Sequence, residues 1–398
     1  MATPSFFALA ARQRELDRAR TAQFPVLFER KQQRMLASPH AFFRGSAPLF
    51  YEILAARPDL ADGPPGEGFI AGDMHLENVG AFPIDKEQVV FDLNDFDDAT
   101  VGPIRLDLLR LATSALLAGR AFGIGGKAAI TLVEQLAFAH LRGLSGAAAP
   151  PLPPKVSDML RRAETRSRHA LLDDRAPRGR DGRRRLLRGE RYLDLPAAIE
   201  AEVPSLLRAY VTALGPRAPG HASTWEVVDA AQRVAGTGSL GVLRIAVLIA
   251  DKDGEERIVE MKEEHAASVW ALVPEPAGRW SSPGDRVVRA TQAMLAEPPR
   301  QLAAVTQNGR SFAVRKLFPQ EDKLAVEDLG SGDKLGPLAQ TIGHLLGKAH
   351  ARGMVTRPPA AWSSAEVAAI VDHAIELSAI IEGTYLAYAR DRREAGER

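Results

Sequence analysis

Three groups of residues in this chain have the types and spacing that phosphate chemistry needs. The first is the glycine-rich segment "VAGTGSLGVL", which carries Gly236, Gly238, Ser239 and Gly241. Glycine lets backbone N–H groups approach phosphate oxygens where any side chain would clash. A G-x-G-x-x-G pattern also suits dinucleotide binding, but that use requires a helix directly after the glycines. Here β-type residues follow, which favours a hairpin folding over nucleotide phosphates. A plain flexible hairpin tip is the alternative. The second is Lys262 in "IVEMKEE", on the strand after that hairpin, where its ammonium reaches phosphates beneath the loop. Taken alone, a lysine that ends a strand is usually solvated.

The third group is "GDMHLEN" together with "FDLNDFDDA". Asp73 and Asn78 stand five residues apart, and Asp92, Asp95, Asp97 and Asp98 follow. Phosphoryl transfer needs a carboxylate to orient or deprotonate the acceptor and oxygen ligands to hold Mg2+. Asp73 suits the first role; Asn78 with Asp95 and Asp97 suits the second. The alternative is an acidic turn that caps the next helix. Crowded carboxylates repel one another unless a cation is present, which favours the metal reading. The 12-residue spacing of an EF-hand is missing.

These groups need elements to hold them. Ser5 to Met35 shows helical spacing and ends in the basic run Arg30, Lys31, Arg34. Ser38-Pro39 opens a further helix. "QVVFDL" reads as a strand, and "IRLDLLRLATSALLAGRAFG" as a helix with a broad apolar face. After the break "SGAAAPPLPPK", residues 161–191 hold a dozen arginines. From Trp225 to about Ala325 the pattern turns β-rich: "GVLRIAVLIA", "ERIVEMK", "QLAAVTQ" and "SFAVRKL", the last pair joined by Asn308-Gly309, a strong hairpin signal. "DRVVRATQAMLAE" reads as a helix between these hairpins, and the chain is helical again from Leu335. Three regions result: a helical part over residues 1–224 carrying the acidic loops, a β-rich nucleotide-binding part over 225–325, and a second helical part over 326–398.

Composition bounds the function. The chain has 398 residues, 51 Lys plus Arg against 50 Asp plus Glu, and a formal net charge of +1. Near-neutrality argues against a global grip on nucleic acid or anionic membrane. With no cysteine, disulfides, cysteine-based zinc sites and cysteine nucleophiles are excluded. No stretch reaches the ~20 apolar residues of a membrane span. The expectation is a cytoplasmic protein with no membrane partner. No G-x-S-x-G elbow supports a hydrolase triad.

Taken together, "SPHAFFRGSA", "GDMHLEN", "FDLNDFDDATVGPIRLDLLRLA", "GTGSLGVLR", "VEMKE" and "AHARG" resemble the bacterial DUF2252 family across most of the chain. These motifs are in turn similar to those of the aminoglycoside phosphotransferase and protein-kinase-like superfamily. The resemblance implies an α+β, two-lobed kinase-like fold with a small β-rich lobe and a larger helical lobe. It implies Asp73 as catalytic base, Asn78 and Asp95 as metal ligands with Asp97 close behind, and Asp107 as the helix residue bracing the catalytic loop. The order departs from those relatives: Asp73 precedes Gly236, and the helix "LAQTIGHLLGKAHARG" lies near the C-terminus, which implies a circular permutation. The acidic partner that normally fixes the lysine has no clear counterpart; Asp285, Gln292 and Glu297 are weak choices, and Glu263 and Glu264 adjoin Lys262. The implied activity is ATP- and Mg2+-dependent phosphoryl transfer to a small-molecule hydroxyl. Transfer of AMP by the same cleft and a non-catalytic nucleotide-binding scaffold are the alternatives.

Other residues carry weaker expectations. His75 suits loop bracing better than substrate contact. Arg44 suits either a phosphate or a structural ion pair, and Arg315 a position near the nucleotide. The arginine-rich segment lacks interleaved aromatics and reads as a solvated, mobile surface rather than a polyanion site. His344 and His350 are spaced too far apart to share a metal on adjacent turns.

Overall fold

The computed structural model describes residues 4–84, 88–319, 322–358 and 361–396. The chain starts with helices α1 (Phe6–Arg20), α2 (Val26–Met35), α3 (Pro39–Arg44), α4 (Ala47–Ala56) and the short α5 (Pro58–Ala61). Ser38 starts α3 as its residue type predicts: its hydroxyl accepts from Ala41 N, and Pro39 occupies the first turn. Four short strands follow, β1 (Glu67–Ile70), β2 (Val79–Pro83), β3 (Val89–Leu93) and β4 (Thr100–Pro103). Next come α6 (Arg105–Ala121), α7 (Gly126–Leu144), α8 (Pro154–Glu164), α9 (Arg168–Arg175), β5 (Tyr192–Leu193) and α10 (Ala197–Leu214).

The β-rich stretch contains β6 (Glu226–Arg233), β7 (Arg244–Ala250), β8 (Glu256–Glu263), α11 (Pro283–Met294), β9 (Ala303–Gln307) and β10 (Arg310–Lys316). The last elements are β11 (Asp322–Lys323), α12 (Leu335–Gly353), β12 (Met354–Thr356) and α13 (Ser364–Gly396). The architecture is mixed α+β. A six-stranded antiparallel sheet runs β5-β6-β7-β8-β10-β9, and two three-stranded sheets run β12-β1-β4 and β11-β2-β3. Among the described residues, no helix is long and apolar enough to cross a membrane.

The β9–β10 hairpin turns where the sequence indicates. Asn308 and Gly309 both have positive φ, 51° and 74°, which a two-residue turn of this hand requires. The strand expected from Gly241 begins only at Arg244, so Val234 to Leu243 form one long loop between β6 and β7. The two small sheets were not expected. Apart from β3, which "QVVFDL" signals, their strands are only two to five residues long and carry no alternating pattern to signal them.

One core joins both ends of the chain. Leu9 and Met35, the α6 leucines, Leu136 of α7, Ile342 and Leu346 of α12, and Leu377 and Ile381 of α13 all lie in it. A second core sits on one face of the large sheet, where α10 packs Val203, Leu207 and Tyr210 against Ile245, Val247 and Val259. The opposite face is covered in part by Leu172, Ala176 and Leu186 of the arginine-rich segment.

Candidate active site

The loop from Ala71 to Asn78 connects β1 to β2 and is held from below. Asp107, fully buried in the first turn of α6, accepts from Ala71 N at 2.6 Å and Gly72 N at 2.9 Å. Its carboxylate also lies 3.1 Å from His350 Nε2, and His350 Nδ1 lies 2.9 Å from His140 Nε2. Gly72 has φ +78°, and a Cβ there would sit 2.1 Å from the Asp98 carbonyl oxygen. Only glycine fits this close approach of the two acidic loops.

Asp73 follows immediately. Its Oδ1 accepts from Arg110 Nε at 2.8 Å and from Arg110 Nη2. Arg110 is fully buried on α6, with its guanidinium over the rings of Phe43 (4.2 Å) and Phe50 (4.8 Å). Burial pushes the Asp73 carboxyl up to about 7, against the opposing pull of Arg110. The second oxygen, Oδ2, faces the glycine-rich loop, 3.7 Å from where a Cβ on Gly238 would stand. Asn78 is buried and its Nδ2 donates to the Asp73 carbonyl. His75, buried and held neutral by that burial, accepts from Glu77 N through Nδ1, which is a loop-bracing role.

The acidic turn between β3 and β4 brings Asp95, Asp97 and Asp98 beside this loop. Lys262, on β8 opposite Arg244 and Ala313, pairs with Asp97 and lies 3.8 Å from Asp95. Burial opposes ionisation of Asp95, but Lys262, Lys323 and Arg244 outweigh it and hold its carboxyl below the ordinary value. Asp98 accepts from Ser268 N at 2.6 Å. Asp92 does not line the cleft. Its side chain turns back to Leu93 N, and burial lifts it to about 6.

The glycine-rich loop closes the top. Gly236, Thr237, Gly238 and Ser239 line the same cleft as Asp73, Asn78, Asp95, Asp97 and Lys262, which is open to solvent around a cavity of about 80 Å³. Gly241 does not line it; a Cβ there would meet the Arg20 carbonyl oxygen at 2.7 Å, so this glycine serves packing. Among the described residues, the backbone N–H groups of Gly236 to Ser239 have no hydrogen-bond acceptor.

The missing acidic partner of Lys262 is explained. Asp285 is held by Ser281 and Arg289. Glu297 is exposed. What α11 sends toward the cleft is Arg286, fully buried, whose guanidinium donates to the carbonyls of Asp97, Ala99 and His265. It fixes the acidic turn, so the carboxylates that meet Lys262 come from that turn instead. Glu264, buried beside Lys262 with one oxygen unpartnered, is lifted to about 7 by burial.

Four of these residues were not anticipated as site residues: Arg110, Arg286, Lys31 and Lys323, the last two also lining the cleft. A signal existed for two of them. Asp107 and Arg110 stand three apart among leucines, and Lys31 and Arg34 stand three apart on α2, so each pair shares a helix face. Arg44 forms a structural ion pair, 2.6 Å from Glu77. Arg315 lies on Glu260 with Arg233 and Arg244. Most arginines of the arginine-rich segment are exposed, as a solvated surface requires, but several are held in ion pairs. Arg184 bridges Asp173 and Glu256 and Arg188 bridges Asp194 and Asp229, which tie the segment to the large sheet, while Arg166 meets Asp322 of the β11-β2-β3 sheet.

For a cation, the oxygens of Asn78, Asp95 and Asp97 suit Mg2+, which takes hard oxygen ligands. Lys262 at Asp95 and Asp97 shows that this turn already collects positive charge. A tighter grouping among the described residues is His40, Glu77 and Glu327. There Arg44 pairs with Glu77 as Lys262 pairs with Asp97, and neither His40 nor Glu327 lines the cleft.

A family model described as an uncharacterized protein conserved in bacteria (DUF2252) matches residues 23–395. Neither the curated proteins nor the solved structures contain a match to the chain.

Proposed function

The chain belongs to the DUF2252 family, and from its cleft we propose an ATP- and Mg2+-dependent phosphotransferase acting on a small-molecule hydroxyl. The observation that carries this reading is one cleft lined by Gly236–Ser239, Lys262, Asp73, Asn78, Asp95 and Asp97. In the proposed arrangement the free N–H groups of the glycine-rich loop and the Lys262 ammonium receive the phosphates. Asn78 and Asp95, with Asp97, hold Mg2+, which neutralises phosphate charge when bound. Asp73 accepts the proton of the acceptor hydroxyl as its oxygen forms a bond to the γ-phosphorus. The bond from that phosphorus to the β–γ bridging oxygen breaks, and ADP leaves. Arg110 holds Asp73 Oδ1, which leaves Oδ2 for the acceptor.

A kinase-like, circularly permuted fold belongs to the same proposal. It is supported by the antiparallel β6–β7 hairpin carrying the loop, and by the packing of α12 and α13 against α7 and α6 in one core. The test is incubation with Mg·ATP and pools of hydroxyl compounds, with products read by mass spectrometry. Gain of a phosphoryl group is expected; gain of an adenylyl group would replace this reading with AMP transfer. No ATP-dependent product with any pool, and no Mg·ATP binding, would sink it. Asp95→Ala is expected to weaken Mg·ATP binding at least about tenfold, measured by calorimetric titration.

A further inference from the structure

The α2 helix does something at the cleft that neither the family nor the proposed reaction assigns. Lys31 is buried, and its ammonium donates to the Gly238 carbonyl at 3.0 Å while facing Asp17 Oδ1 at 3.2 Å. Asp17, on α1, is fully buried and also engaged by Gln13 Nε2 at 2.9 Å and by the Tyr388 hydroxyl of α13 at 3.3 Å. One turn further along α2, Arg34 donates to the Gly236 carbonyl. The loop is also seated on backbone: a Cβ at Gly238 would lie 3.1 Å from the Arg44 carbonyl oxygen.

Burying an ammonium costs several kcal/mol unless it is well paired. Lys31 could satisfy its charge in water from an exposed face of α2; here it is satisfied by one carboxylate and one loop carbonyl. We infer that Lys31, with Arg34, is a positioning residue that clamps the glycine-rich loop over the cleft before any ligand arrives. Both cations hold carbonyl oxygens, and the N–H groups of Gly236 to Ser239 are the polar backbone left for the cleft side. The loop is a preformed anion cradle rather than a loose flap. Its consequence for nucleotide rests on the phosphotransferase reading; the clamp itself does not.

The chain has no cysteine, so Thr237→Cys places a single thiol in the loop. Its reaction rate with an aromatic disulfide reagent reports loop opening without any nucleotide. Lys31→Met combined with Asp17→Asn removes both buried charges together, and should raise that rate about tenfold or more. Lys31→Arg should stay within about twofold, and Arg34→Ala should raise the rate several-fold. Circular dichroism confirms that each variant is folded. Unchanged labelling in the folded double variant and in Arg34→Ala overturns the clamp. If the double variant does not fold, Arg34→Ala, altered only at a half-buried position, decides alone. Mg·ATP titration is the second readout: the double variant and Arg34→Ala should bind about tenfold more weakly, and Lys31→Arg within about twofold of the parent. No Mg·ATP binding by the parent protein, with the labelling increase still seen in the variants, overturns the nucleotide reading and leaves the clamp standing.

Discussion

At Asp73, burial and charge oppose each other: desolvation lifts the carboxyl to about 7, while Arg110 pulls it down. A base that must be ionised to take a proton then works only above that value. The expected rate profile rises with pH through about 7 and levels off beyond it, measured as kcat/KM against pH, which reports the free protein's groups. Asp73→Asn should lower kcat at least about 100-fold while Mg·ATP affinity changes less than about threefold. Glu264 makes a stability prediction of the same origin. Its folded value is raised to about 7 from an ordinary 4.5. The folded state therefore holds a proton that the unfolded chain has released between those values, and ionisation destabilises the fold as pH rises through 7. Glu264→Gln should raise the melting temperature by a few degrees at pH 8, with a gain of about 2–3 kcal/mol. That gain should shrink as pH falls through 7 and vanish near pH 4, and a pH-independent effect would contradict the assignment.

Helix α12 shows how elements bring these residues together. It crosses α7 at glycines: a Cβ on Gly347 would lie 2.0 Å from the His140 carbonyl oxygen, and one on Gly343 2.4 Å from that of Leu136. The near contact of the two backbones places His140 against His350 and His350 against Asp107, beneath the Asp73 loop. Alanine is the better helix former by about 1 kcal/mol, but here it cannot enter without prising the helices apart. Gly347→Ala should therefore lose about 2 kcal/mol or more, measured by urea unfolding; a neutral or stabilised variant would show that the crossing is loose. Local signals made several elements readable in advance: Ser38-Pro39 for a helix start, Asn308-Gly309 for a hairpin, the glycines before β7 for a loop. The roles of Arg110, Arg286 and Lys31 were not readable, because a buried charge is understood only through a partner far away in sequence. Arg286 meets carbonyls of the acidic turn, and Lys31 meets a carbonyl of the glycine-rich loop. Helical periodicity marked their faces but not what those faces would meet.

On the scale of the whole molecule, the cleft is assembled from the first helices, the acidic loops and the large sheet, and α13 returns to pack on α1 and α6. A ligand in it therefore ties distant segments together and should stabilise the fold cooperatively. The charge on its walls decides which ligand can do so. Asp73, Asp95, Asp97, Asp98 and Glu264 all line the space that the proposed polyphosphate occupies. Lys262 is already committed to two of these carboxylates. Free ATP would bring further negative charge to that wall and pull Lys262 away from its partners, which would leave Asp97 without its ion pair and Asp95 with only Lys323 and the neighbouring arginines. Under the proposed function, Asn78 and Asp95 would hold Mg2+, whose charge would replace that of Lys262 and leave the ammonium for phosphate. Mg·ATP should thus raise the melting temperature by a few degrees, while ATP with a chelator should give less than about a third of that shift. Adding salt should weaken the small metal-free shift first, because that interaction is the more exposed to screening. Equal stabilisation with and without Mg2+ would mean that phosphate does not approach the acidic turn, and Asn78, Asp95 and Asp97 would lose their place as metal ligands.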